Sequence, residues 1–290
     1  MPEAAAGTSP GPVRERRAGP WRLCWDAAQL PAALCGRLER LGELFSDPRA
    51  VRYNLCHTAE TIRWDEPEAG ALFVKRYRTR NRLDGLKNRF RRSRARKAWE
   101  AGRRLAALGV ATGLPLALAE RRRGLRLEEA YLVTRAVPHA GNVLEWFRDH
   151  ARSRPRLRAC FVRALARHLR ALHERGIDLR DLKGTNVLVC APAPPAGAEQ
   201  PWSPLWQFAH IDLDRAAFDR RLRERDRIRA LVYLDASYAG LASRADRLRF
   251  LLAYLGPGEA ADRARVRRMA RAIERGTAER LRRRRPPLTS

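Results

Sequence analysis

Apolar positions in this chain change period once, near residue 137. Before that point they sit in short alternating or clustered runs, and after it leucines recur every three or four residues. Trp21-Arg-Leu-Cys-Trp25 alternates as a short strand, while Leu34, Leu38, Leu41 and Phe45 give helical spacing between Leu30 and Phe45. Asn54–Trp64 and Ala71–Tyr77 predict two strands across the turn Asp65–Gly70. Asn88–Leu108 predicts a basic helix ended by Gly109, with Ala98, Ala101 and Leu105 as its apolar stripe. Val110–Glu120 and Leu125–Val137 predict two more strands. Beyond them, Asn142–His150 is a short helix, and Pro155 opens a longer one with Leu157, Phe161, Leu165, Leu169 and Leu172 on one face. His168 and His173 lie on that helix and are expected to pack. Val187–Val189 and Trp206–His210 pair as a hairpin with the Pro/Ala-rich Cys190–Pro204 at its tip. Asp219–Arg229 reads as a helix with a solvated, charged face. Ser243–Leu255 turns Leu248, Leu251, Leu252 and Leu255 toward the core, and Arg263–Arg285 is a basic helix.

These elements predict an α+β chain of two lobes. Residues 1–20, rich in Ala, Gly, Pro and Arg without periodicity, are expected to form a flexible tail. Residues 21–137 form a small β-rich lobe, 138–262 a mainly helical lobe, and 263–290 a basic C-terminal helix or tail. A chain of 290 residues with 45% hydrophobic content can bury a proper core. The five cysteines are odd in number and lack C-x-x-C spacing, so no disulfide framework or zinc site is expected. With no apolar signal or spanning segment, the expected compartment is the cytoplasm.

The formal charge of +28 calls for an anionic partner or reflects compositional drift toward arginine. Only four of the 60 basic residues are lysines. Two of those four stand where chemistry would ask for a compact ammonium: Lys75, closing the apolar run A-L-F-V-K, and Lys183 in D-L-K.

The second lies in G-I-D-L-R-D-L-K-G-T-N-V-L-V, Gly176 to Val189, between the long helix and a strand. Asp181 supplies a carboxylate that can take a proton from an attacking hydroxyl. Five residues on, Asn186 supplies an amide oxygen for a metal, the spacing that phosphoryl transfer uses. Leu179 stands where such a loop usually has His. Asp212, after the apolar strand in H-I-D-L-D-R, reads as the second metal ligand with Asp214 as helper, the alternative being a strand-end pair of acids neutralised by Arg215. Glu100, alone among cations on the basic helix, can pair with Lys75 or with Arg103 or Arg104 on its own surface. No glycine-rich phosphate loop precedes Lys75, so the hydroxyls of Thr58 and Thr61 and backbone amides would cover the phosphates instead.

Lys75, Glu100, Asp181/Asn186 and Asp212 follow one another in the order of a protein-kinase-like fold. More narrowly, F-V-K-R-Y, A-W-E-A-G-R-R-L-A-A-L-G-V, the Gly176–Val189 loop, I-D-L-D-R and R-A-D-R-L-R-F-L-L-A-Y-L resemble the bacterial lipopolysaccharide kinase family, the Kdo and heptose kinases, over about Asn54 to Leu255. The resemblance implies ATP- and Mg2+-dependent phosphorylation of a sugar hydroxyl on the lipid A/core glycolipid, at the cytoplasmic face of the inner membrane. It implies Lys75 on phosphate with Glu100 orienting it, Asp181 as base, Asn186 and Asp212 on magnesium, and Lys183 steadying the transferred group. An anionic membrane surface is a further expected partner, and nucleic acid is not, since no stacked-aromatic or zinc pattern accompanies the charge. An atypical small Ser/Thr protein kinase shares these residues, and a catalytically inactive member of the fold is a third reading.

Overall fold

The computed structural model describes residues 9–56, 59–67, 70–78, 92–190, 206–219 and 221–284. It is an α+β protein, with an antiparallel sheet in the N-terminal part and helices dominating the rest. Two compact units emerge. The first holds Met1–Val137 together with Asp212–Arg215; the second holds Pro138–Ile211 and Ala216–Ser290.

In the first unit, β1 (Val13–Ala18), β2 (Trp21–Asp26), β3 (Val51–Cys56), β4 (Ala59–Glu66), β5 (Gly70–Arg78), β6 (Pro115–Arg123) and β7 (Arg126–Arg135) form one sheet in the order β1-β2-β6-β7-β5-β4-β3. One face is covered by α1 (Ala32–Cys35) and a 3-10 segment (Leu38–Ser46), whose Leu34, Leu38 and Leu41 bury against Leu72, Val74 and Val133. The other is covered by α2 (Arg94–Ala107), whose Ala95, Ala98 and Trp99 meet Tyr77, Leu118 and Leu132. Because both faces are covered, central β6 loses alternation: Pro115 through Glu120 are all buried.

Helix α2 is held to the sheet by its arginines. Arg96 donates to buried Glu120 at 2.9 and 3.0 Å, and Arg103 donates to Asp26, itself fully buried, at 2.7 Å. Removing one partner from such a pair strands a charge in low dielectric and costs ~3–5 kcal/mol.

Three expectations for this unit are corrected. Val13–Ala18 is not part of a flexible tail but pairs in register with β2. As a solvent-facing edge strand of V-R-E-R-R-A it needs ladder hydrogen bonds rather than an apolar face, so no periodicity marks it. Asn54–Trp64 divides into β3 and β4, which close at Cys56 opposite Ala59, without a Gly, Pro, Asn or Asp from Leu55 to Glu60 to announce the turn. The helix expected over Leu30–Phe45 breaks at Gly36 into α1 and the 3-10 segment, though Leu34, Leu38, Leu41 and Phe45 all bury. Residues 88–91 of the expected basic helix lie outside the described residues.

In the second unit, α3 (Val143–Trp146) opens with a capping box from Asn142 and Glu145 and runs into a single π turn, Phe147–Ala151. The long α4 (Pro155–Glu174) buries Phe161, Leu165, Leu169 and Leu172 along one stripe. Strands β8 (Val187–Val189) and β9 (Phe208–His210) pair antiparallel; residues 191–205 between them lie outside the described residues. Helices α5 (Glu224–Ser237), α6 (Arg244–Ala261) and α7 (Arg263–Arg284) complete it.

Two more expectations shift here. Leu248 and Leu252 are exposed, with Tyr254 taking a core position beside Leu251 and Leu255. The charged stretch Asp219–Arg229 becomes helical only from Glu224, and Asp226 in it is buried and paired with Arg229 rather than solvated. His173 and His168 pack, as expected. His173 shares a 2.6 Å hydrogen bond with the Tyr254 hydroxyl, and His168 meets His210 ring to ring at 2.8 Å between nitrogens.

Candidate active site

The first unit brings Lys75 to Asp212. Lys75 lies on β5 between Thr61 of β4 and Leu132 of β7, so the two-residue period puts it on the α2 side of the sheet together with Tyr77. Its ammonium is 2.5 Å from Asp212 Oδ1, and the same nitrogen lies 5.2 Å from the centre of the Tyr77 ring. Asp212 holds φ at 61°, a left-handed conformation that it and Asp219 are the only non-glycine residues to adopt among the described residues. Asp tolerates this region better than most side chains, at a cost of ~1–3 kcal/mol that surrounding contacts must offset. Two residues on, the nearly buried Asp214 accepts from Arg94 Nε at the start of α2. Tyr77 is buried, and burial together with the neighbouring Asp214 and Asp212 carboxylates pushes its phenol well above the usual range.

The structure does not bring Glu100 to Lys75. Glu100 is half-exposed and accepts from Arg92 at 2.7 Å, the local surface pairing that a helix with cations on every side offers it. Lys75 takes its carboxylate from Asp212 instead. Of the hydroxyls expected over the phosphates, Thr58 lies outside the described residues and Thr61 stands directly across the ladder from Lys75.

In the second unit the Asp181 loop closes on itself. The Asp181 carboxylate receives Lys183 Nζ at 2.8 Å. Its backbone carbonyl receives both the Lys183 amide at 2.8 Å and the Asn186 side-chain amide at 3.1 Å. The Asn186 side-chain oxygen is an acceptor and takes the Thr185 hydroxyl at 3.5 Å. Asn186 ends a single 3-10 turn and leads into β8, and its carbonyl accepts from the Ile211 amide just past β9. Gly184 is required where it stands: a Cβ there would lie 2.6 Å from Leu144 Cδ2, and its amide donates to Ser237 Oγ at 3.2 Å. At the usual His position Leu179 is buried, and the anchoring falls to Asp178. This fully buried residue accepts from Arg229 at 3.0 Å and exchanges backbone hydrogen bonds with Ala217. Sequence reasoning missed Asp178, Arg229, Tyr77 and Arg94. For Arg94 a signal existed in cations crowding a helix start, where the dipole favours anions.

Each unit by itself holds an oxygen donor of the kind magnesium takes. Asp212 offers a carboxylate and Asn186 an amide oxygen, both hard donors. Among the described residues no group of three or more His, Cys, Asp or Glu could cage a metal. A cation bound through one or two protein oxygens, with nucleotide phosphates completing its shell, matches the way Mg2+ is usually held.

Comparison with known proteins bears on the fold and the family. A solved structure of WaaP in complex with acyl carrier protein superposes with a TM-score of 0.56 at 25% identity, over 83% of this chain and 96% of that one. The lipopolysaccharide core heptose(I) kinase WaaP of Pseudomonas aeruginosa is 33% identical over 167 residues, 55% of this chain; the chain spans 59% of that relative's length. The profile of the lipopolysaccharide kinase (Kdo/WaaP) family matches residues 60–254, which include Lys75, the Asp181 loop and Asp212. On that match the chain belongs to the lipopolysaccharide kinase (Kdo/WaaP) family.

Proposed function

We propose that this chain transfers the γ-phosphoryl of ATP to a sugar hydroxyl, Kdo or heptose, of the lipopolysaccharide inner core, working at the cytoplasmic face of the inner membrane. The observation that carries the reading is the Lys75–Asp212 contact, made between residues that sequence reasoning assigned separately to phosphate and to metal.

In this reading Lys75 binds nucleotide phosphate, and Asp212 and Asn186 hold Mg2+. When bound, the cation would neutralise charge developing on the phosphoryl oxygens. Asp181 accepts the proton of the attacking sugar hydroxyl, oriented for this by its own carbonyl, which the Lys183 and Asn186 amides fix. Lys183, beside that carboxylate, steadies the transferred group. The exposed arginines of α7, such as Arg267, Arg268 and Arg271, offer a cationic face to the anionic glycolipid and membrane. No helix among the described residues is long and apolar enough to cross a membrane.

Incubation with labelled ATP, Mg2+ and a panel of Kdo- and heptose-bearing acceptors tests this. Label should pass to at least one acceptor with wild type and not with Asp212→Ala. Transfer to mixed proteins with none to sugar would favour the protein-kinase alternative.

A second reading concerns a partner. Between α4, α5, α6 and α7 lies a cavity of about 690 Å³ with a mainly apolar lining that includes Phe161, Leu165, Leu231, Leu248 and Ile273. We infer that this chain, like the WaaP of the solved complex, binds an acyl carrier protein, with the cavity taking the acyl chain; its size falls in the usual ~300–1,000 Å³ range of small-molecule sites. Acylated carrier should co-elute with wild type and not with Leu248→Asp, whereas equal retention of apo carrier would remove the acyl chain from the account.

A further inference from the structure

Outside the assigned residues, the strongest unexplained feature of the first unit is the partnership of Arg94 with Asp214. We propose that Arg94 is a positioning residue for phosphoryl transfer. By holding Asp214 it locks the Asp212-Leu213-Asp214 segment in the conformation that presents Asp212. This rests on the kinase reading above and adds to it a residue and a role.

Each of the three consecutive residues is held by a different partner. Asp212 meets Lys75. Leu213 is buried beside α2, with Cδ1 3.6 Å from where a Gly102 Cβ would lie, an ordinary packing distance. Asp214 meets Arg94. The middle contact is apolar and sets no rotation by itself; the outer two are directional and fix the segment about it. Asp212 keeps a left-handed φ of 61°, which a free segment would abandon. The Asp214 side chain is only 4% exposed, so its carboxylate cannot turn to water and depends on the guanidinium.

Arg94 and Lys75 also share a support. The Arg94 guanidinium carbon lies 5.3 Å from the Tyr77 ring centre and the Lys75 nitrogen 5.2 Å from it, both within cation–π range of one buried ring. A shift of either cation is felt at the other through Tyr77 as well as through the Asp212–Asp214 segment.

The sequence carries a cost that local structure does not repay. Arg94 is the first residue of α2, fixed there by Ser93, whose hydroxyl accepts from the Arg96 amide at 2.9 Å. The first turn has no acid and carries Arg94, Arg96 and Lys97, against the helix dipole. Locally unfavourable choices point to a role set by tertiary or functional demands. Arg96 and Arg103 satisfy that demand on the sheet, through Glu120 and Asp26, and so serve packing. Arg94 alone of the three reaches the segment that bears Asp212.

The test measures binding of a non-hydrolysable ATP analogue by calorimetry, with and without Mg2+, for wild type, Arg94→Ala, Arg94→Lys, Asp214→Asn, the double variant Arg94→Ala/Asp214→Asn and, as a packing control, Arg96→Ala. Loss of an outer-shell partner of a ligating carboxylate typically costs ~10–100-fold in metal affinity or activity. Arg94→Ala and Asp214→Asn should each reduce the Mg2+-dependent gain in nucleotide affinity by that factor, leave Mg2+-free binding near wild type, and not add in the double variant. Arg94→Lys should recover part of the gain, and Arg96→Ala should lower thermal stability with the Mg2+ dependence intact. A folded Arg94→Ala with wild-type Mg2+ dependence overturns the proposal; should that variant not fold, the same result for Asp214→Asn overturns it. If wild type itself gains nothing from Mg2+, the kinase reading fails first and this inference falls with it.

Discussion

The second unit holds Asp181, Lys183 and Asn186 against one another within six residues of chain, whereas the first brings Lys75 to Asp212 across 137 positions. The loop is self-contained: its geometry comes from two backbone bonds, one side-chain amide and a glycine that lets Leu144 sit close. The Lys75–Asp212 meeting depends instead on strand register, on α2 packing over the sheet, and on a four-residue segment that leaves the second unit's sequence to join the first. A compact loop should lose chemistry without losing shape when a side chain is changed. A long-range meeting should lose both placement and coupling.

The largest expected effect follows from the loop. Asp181→Asn keeps the carbonyl that Lys183 and Asn186 use, so the fold should hold while kcat drops by ~10²–10⁴. A circular dichroism spectrum and melting curve like wild type, beside the lost turnover, would sharpen the contrast. Intact turnover would end the assignment of a base to this loop.

Next in size, Gly184→Ala forces a methyl against Leu144 at 2.6 Å, and overpacking of this kind costs ~1–3 kcal/mol. Denaturant unfolding should show that loss, with kcat falling further than the Lys75 side of the molecule would by itself explain. A variant as stable as wild type would mean the loop is less tightly seated than its contacts indicate.

Acid should act on the second unit through His173. Burial lowers its imidazole to about 4, and an unfolded chain protonates near the ordinary value of about 6.5. The unfolded state therefore binds the extra proton between those values. The stability contribution is whole above about pH 6.5 and is lost progressively as pH falls toward 4. Burial lowers His168 and His210 of the same unit as well, so His173→Gln should reduce that slope by its own share in urea melts taken across the range. An unchanged slope would assign the acid sensitivity elsewhere.

The smallest effect belongs to Glu100. As a surface partner of Arg92 it should be dispensable: Glu100→Gln is expected to shift stability within about 0.5 kcal/mol and to leave nucleotide affinity unchanged by titration. A marked loss of affinity would return it to Lys75.

What could be read from the chain follows the same contrast. The Asp181 loop was legible because all its determinants lie in one stretch, β5 and α4 because each writes a period, and β7 because Ala130–Val133 is a continuous apolar run. Lys75 and Asp212 could be named from their local settings and expected at one cleft, but their direct ion pair could not be read, because register is set by the whole sheet. Glu100 was assigned to Lys75 by spacing, yet in a helix lined with arginine a glutamate finds a nearer partner. The edge strand Val13–Ala18 left no pattern, since solvent covers it. Arg94 and Asp214 stayed hidden for a related reason: α2 supplies cations to acids elsewhere, and in an arginine-rich chain one arginine resembles the next.

The most direct measurement is a double-mutant cycle on Lys75→Met and Asp212→Ala, read as affinity for Mg2+-bound ATP analogue. If the two side chains act as one unit, the double variant should bind no worse than the weaker single variant, a coupling of ~0.5–3 kcal/mol. Losses that simply multiply, or single variants that bind as wild type does, would contradict the account.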